Sequence, residues 1–211
     1  MRLIKSRRYP PPRVDGATHR HFPPGLSAAP SDFEPGDFIL THASGLACTL
    51  IRFGQALRFL GRNRPFAWWS HAALIVSADG DLIEASGTGV QRSHLSKYAA
   101  TDFQLVRLGT LASAGDRAQI VRYAHWALGQ DYGWLTIISI SLSLLTGGAF
   151  TFGFDGQSIC SGLVARALER SDIIFDRSPS HIMPADLARY FSVPRPPRGS
   201  SRGQVPAVKG A

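Results

Sequence analysis

Cysteine is scarce in this chain: Cys48 and Cys160 are the only two. Two thiols make no disulfide framework, and at this separation they give no zinc-binding spacing. Nothing else points to an oxidising compartment, so a bridge between them is not expected. Charge is also sparse, 18% of residues against 44% hydrophobic, which excludes wholesale disorder and describes one globular domain with appendages. An N-terminal secretory h-region is missing. Lys5-Ser6-Arg7-Arg8 has the outline of a twin-arginine start, but Tyr9-Pro10-Pro11-Pro12 follows where an apolar stretch is required. Ordinary export is therefore not expected, and a cytoplasmic location is. Metal spacing is lacking too: His94, His125 and His181 have no partner at ligand distance in sequence, so neither metal nor cofactor is expected.

Positive charge exceeds negative by eight, but it sits at the ends. Arg2, Lys5, Arg7, Arg8, Arg13 and Arg20 crowd the N-terminal arm; Arg195, Arg198, Arg202 and Lys209 follow in the C-terminal tail. These outnumber the net charge, so the middle is nearly neutral. A basic body would have suggested nucleic acid. Basic tails imply only loose attraction to anionic lipid, polyanion or wall polymer, and the body carries no nucleic-acid recognition motif. Six of the fourteen prolines lie in residues 1–31, where apolar periodicity is absent. The expected organisation is a disordered arm over 1–31, a folded domain over 32–193 and a disordered tail over 194–211.

Within the domain, Pro35-Gly36-Asp37 is a turn and Phe38-Ile39-Leu40 a first strand. Leu46, Leu50, Phe53, Leu57 and Leu60 alternate spacings of four and three, an amphipathic helix ending at Gly61. His71 to Val76 and Asp81 to Ala85 read as strands of a β-hairpin around Ser77-Ala78-Asp79-Gly80. Phe103 to Leu108 is a further strand with imperfect alternation. Asp116 to Leu128 is a helix stopped by Gly129, and a last helix runs from about Ile159 to Arg170. That order predicts an α+β fold around an antiparallel sheet packed with helices.

Cys160 opens the last helix, whose inward face is Cys160, Leu163, Val164, Ala167 and Leu168. A thiol in a first helical turn feels the positive end of the macrodipole and free backbone N–H groups, which favour thiolate and can receive an oxyanion. The bland alternative is a buried small hydrophobe. A thiolate nucleophile needs a base, and the base an orienting partner. His71 at the head of its strand, with Glu84 on the next, offers both. A two-residue hairpin turn pairs Glu84 with Ile75, too distant from His71. A four-residue loop pairs it with Ala73, on the His71 face and one diagonal step away; a three-residue loop puts the two on opposite faces.

Pro35-Gly36-Asp37-Phe38-Ile39-Leu40, Ser70-His71-Ala72-Ala73-Leu74-Ile75-Val76, Ile83-Glu84-Ala85 with Gly89-Val90, and Cys160-Ser161-Gly162-Leu163-Val164 together resemble the YiiX-like family. Its members are circularly permuted NlpC-type papain-like proteins related to the lecithin:retinol acyltransferase group. Pro184-Ala185-Asp186-Leu187 is similar to a segment near the end of that domain, and the resemblance spans Phe33 to about Phe191. It implies a permuted papain-like fold in which the histidine strand precedes the cysteine helix. The nucleophile falls on Cys160, the base on His71 and the polar third member on Glu84. Gly162 departs from the pattern, where many relatives carry a longer polar residue.

The expected activity is a cysteine-dependent hydrolase (amidase or peptidase) or acyltransferase, acting on an amide or ester in a peptide, cell-wall peptide or acyl lipid. The alternative is a membrane-surface lipid-binding module of the same fold with little or no catalysis. Its support is the basic tails and the stretch Trp134 to Phe154, twenty-one residues without a charge, read as core, membrane-facing surface or span. His42 is expected as a loop histidine, Cys48 as packing, and Trp68 and Trp69 as a substrate wall or a cap on the sheet. Tyr132 stands where relatives bring a side chain toward the site.

Overall fold

The computed structural model describes residues 16–42, 46–130 and 160–197. Trp134 to Phe154 and Tyr132 lie outside them. Six strands form one antiparallel sheet: β1 (Thr18–Phe22), β2 (Phe38–Thr41), β3 (His71–Ile75), β4 (Asp81–Ser86), β5 (Gly89–His94) and β6 (Phe103–Arg107), in the order β1-β6-β2-β3-β4-β5. Among the described residues four α-helices accompany it: α1 (Leu46–Arg58), α2 (Ala114–Trp126), α3 (Cys160–Leu168) and α4 (Pro184–Tyr190). The fold is α+β, and no helix among the described residues is long and apolar enough to cross a membrane.

Strand alternation divides the core into two layers. Phe38, Leu40, Ala72, Leu74, Ile83 and Val106 point to one face, where they pack with Ile120 and Ala124 of α2, Leu163 and Val164 of α3 and Leu187 of α4. Ile39, Ala73, Ile75, Leu82 and Leu105 point to the other, covered by Phe22, Phe33, Leu95 and Tyr98. Both faces of the central strands are buried, which is why β6 shows no clean alternation of apolar and polar residues.

Strand β1 revises the expected boundary of the arm. Thr18 to Phe22 pairs with β6 from Thr18↔Arg107 to Phe22↔Phe103, and Phe22 stacks on Phe103 with ring centroids 4.8 Å apart. Only Phe22 of the five is buried, so a single anchor in a polar edge strand left no periodicity to read. The tail also begins later than expected, since Arg195 N–H donates to Pro65 O at 3.0 Å.

The Pro35-Gly36-Asp37 turn is fixed by Asp37, which is fully buried. Its carboxylate accepts from the N–H groups of Glu34 at 2.8 Å and Leu108 at 2.9 Å and from Arg117 Nη1 at 2.8 Å. Gly36 has φ +95°, and a Cβ there would press on Arg117 at 3.3 Å, so the turn needs glycine. Helix α2 starts at a capping box, Ser113 with Asp116.

Helix α1 turns its apolar stripe outward. Phe53, Leu57 and Leu60 are 53%, 44% and 68% exposed, whereas Gln55 is fully buried. Gln55 Nε2 donates to Trp69 O and its Oε1 accepts from Ala185 N–H, each at 2.8 Å. One amide thus ties α4 to the residues just before His71. Gln55→Ala leaves a buried donor and acceptor without partners and is expected to cost about 1–3 kcal/mol, measurable by urea unfolding; loss of under 0.5 kcal/mol would mean the site of contact is already wet.

Candidate active site

The hairpin between β3 and β4 takes the four-residue loop. Leu74 pairs with Ile83 and Ile75 with Leu82, and Val76 N–H donates to Asp81 O at 2.8 Å. Ser77 Oγ holds this loop by accepting from Asp81 N–H at 3.0 Å while donating to Asp81 Oδ2 at 2.9 Å. That register sets Glu84 level with Ala73, on the His71 face and diagonal to it. His71 Nε2 donates to Glu84 Oε2 at 2.6 Å.

His71 is the first residue of β3, and Cys160 is the first described residue of α3. The Cys160 thiol and the His71 ring are hydrogen-bonded to each other. Since Nε2 is taken by Glu84, Nδ1 is the nitrogen left for sulfur. Ser161 Oγ donates to Ile182 O at 2.6 Å and fixes the start of the helix. The three residues singled out from sequence, Cys160, His71 and Glu84, therefore form one continuous chain of contacts.

Their charges support each other. Burial alone would raise the Cys160 pKa, but the His71 charge and hydrogen bond, with the backbone N–H groups of Ala72 and Ser161, bring it below an ordinary thiol. Burial would lower His71; the Cys160 charge and hydrogen bond, then those of Glu84, outweigh it and raise His71 from 6.5 to about 9. Burial would raise Glu84, yet the bond and charge of His71, followed by Lys97 and Ser93, hold its carboxyl well below the usual carboxylate range. The favoured state is thiolate, imidazolium and carboxylate.

Two partners of Glu84 were not legible in advance. Lys97 Nζ donates to Oε1 at 2.6 Å, and Tyr98 OH donates to Oε2. Both come from the 3-10 turn Leu95–Tyr98 after β5. Burial and then the Glu84 charge push the Tyr98 phenol far above its usual value, so it stays a neutral donor. Glu84, fully buried, is thus satisfied by three donors on three different residues, as a buried carboxylate requires.

The flanking residues sort themselves. Cys48 is half-buried on α1, bonded to Ser70 Oγ; burial, then the nearby Cys160 charge, raises its pKa. It is a neighbour of the Cys160 thiol rather than packing alone. His42 stacks on Trp68 with centroids 3.7 Å apart, donates from Nδ1 to Trp68 O at 2.8 Å, and accepts on Nε2 from Arg52 Nη1 at 2.7 Å. Burial lowers its pKa, and this bonding fits the neutral ring. Trp69 is fully buried and donates from Nε1 to Val193 O at 2.9 Å, capping the core. Trp68 lies between His42 and Arg195, whose guanidinium is 3.7 Å from the ring centroid. His94, His125 and His181 belong to no cluster able to hold a metal among the described residues.

Neither the known protein families nor the curated proteins contain a match to this chain.

Proposed function

We propose that this protein is a thiol hydrolase or acyltransferase of permuted papain-like architecture, with Cys160 as nucleophile, His71 as acid and base, and Glu84 as the group that orients His71. The observation that carries this reading is the unbroken contact from Cys160 through His71 to the buried Glu84 carboxylate. The order of histidine strand before cysteine helix, and the resemblance of the surrounding motifs, support the architecture.

Cys160 Sγ attacks the carbonyl carbon of an amide or ester, forming the C–S bond as the carbonyl π pair moves onto oxygen. The Cys160 backbone N–H would contribute to holding that oxyanion. Collapse breaks the C–N or C–O bond, and the His71 imidazolium gives its proton to the departing amine or alcohol. Neutral His71 then takes a proton from water, or from an acceptor alcohol or amine, which attacks the thioester and releases Cys160. Glu84 keeps the imidazole ring in place throughout.

Alkylation tests the charge state directly. With iodoacetamide and mass mapping, Cys160 is expected to label at a lower pH than an ordinary thiol, whose pKa is about 8.5. Cys48, with its raised pKa, should label only in more alkaline solution. Equal labelling of both cysteines at every pH would remove the basis for a nucleophile and leave a binding module.

A further inference from the structure

The outward apolar stripe of α1 has no use in the chemistry above. Phe53 and Leu57 share one side of the helix and are exposed, as is Leu60 just past its end, while the opposite side of the helix makes polar contacts. There Cys48 meets Ser70, Gln55 meets Trp69 and Ala185, and Arg58 meets Asp186 at 2.7 Å. An ordinary surface helix has the reverse arrangement.

Charge around the stripe narrows what it faces. From Phe38 to Ala78 the chain has no Asp or Glu, yet it contains Arg52, Arg58, Arg62 and Arg64. Arg62 and Arg64 are exposed immediately beyond the end of α1. A second copy on this face would bring two copies of exposed Arg62 and Arg64 toward each other. An anionic lipid surface complements both features, taking the apolar side chains below its headgroups and the guanidiniums at them.

We propose that Phe53 and Leu57 on the outward face of α1, with Leu60, Arg62 and Arg64 just beyond its end, dock on an anionic membrane surface. This rests on the helix and not on the hydrolase reading. The helix would lie along the interface, with the opposite side of the same helix still touching Trp69 and Ser70.

The full-length chain is mixed with vesicles of phosphatidylcholine alone and of phosphatidylcholine with phosphatidylserine, then sedimented. Binding is expected only to the anionic vesicles and should weaken as salt is added. Phe53→Glu/Leu57→Glu/Leu60→Glu should reduce partitioning at least tenfold, and Arg62→Gln/Arg64→Gln about fivefold for each arginine. Circular dichroism establishes whether the triple variant folds; if it does not, Leu60→Glu alone and the arginine pair carry the comparison. A parent chain that stays in the supernatant overturns the proposal. So do folded variants that bind like the parent, since binding would then run through the basic ends. A parent dimer in light scattering that Leu57→Glu dissociates overturns it as well, because the stripe would be a contact between copies.

Discussion

Cys160→Ala is expected to reduce turnover of an amide or ester substrate by roughly 10⁴-fold or more, to the level of binding and oxyanion stabilisation alone. The protein should remain folded. Cys160 is 2% exposed, and alanine removes only a sulfur, leaving α3 its inward Leu163, Val164 and Leu168. Thermal melting separates the two effects. Cys48→Ala should retain turnover within a few-fold, since its thiol is held in the neutral form by burial and by the charge next to it. Near-parental turnover by Cys160→Ala would rule out the covalent mechanism.

Glu84→Gln is expected to lower kcat by about 10²–10⁴-fold, the usual range for a positioned acid–base group. The amide can turn its oxygen toward His71 and Tyr98, with its NH2 toward Lys97, whose side chain is half exposed and free to swing into water. Folding is therefore expected to survive. A purely structural Glu84 would change stability alone; an orienting one also shifts the pH profile of Cys160 alkylation upward, because a less stabilised imidazolium no longer favours the thiolate. Stability should follow pH in a defined sense. His71, raised to about 9, contributes fully below 6.5 and loses that contribution as pH rises through 9. Glu84, depressed below 4.5, contributes above that value and loses it as the solution is acidified through its folded-state value. Cys160, whose pKa is lowered, contributes in the opposite sense and gains as pH rises, offsetting the His71 decline, so the acid limb is the one that Glu84→Gln should flatten in melting temperature.

The contact of Cys160, His71 and Glu84 could be expected from sequence because each stands at a place with local chemistry: an expected helix start, a strand head, the next strand of a hairpin. What sequence left open was the loop. Asp79-Gly80 favours a two-residue turn, and the outcome depends on Ser77 capturing Asp81, a contact no turn propensity describes. Lys97 and Tyr98 were missed because a 3-10 turn of four residues has no hydrophobic period, and their common partner is thirteen and fourteen residues back. Helix α1 was legible as a helix but not in its orientation. Periodicity reports which residues share a side, and the outward choice was made by Gln55 and Arg58, whose partners Ala185 and Asp186 lie far along the chain. Strand β1 escaped because pairing with β6, not its own pattern, makes it a strand.

The row Cys160–His71–Glu84–Lys97 alternates negative, positive, negative, positive, and sums to zero. In the proposed mechanism, formation of the C–S bond would remove its first member, because the bonded sulfur carries no charge. The strongest influence holding the proton on His71 is the Cys160 thiolate, ahead of Glu84, and burial works against both. Once the thiolate is gone, burial is opposed by Glu84 alone, and the imidazolium becomes the excess charge of the row. The same ring that is a reluctant acid beside the free thiolate would become a willing one in the tetrahedral intermediate, where sulfur is bonded to carbon. Giving up its proton to the leaving group restores neutrality and leaves the base that the second half of the reaction needs, so covalent-bond formation itself times the exchange of roles.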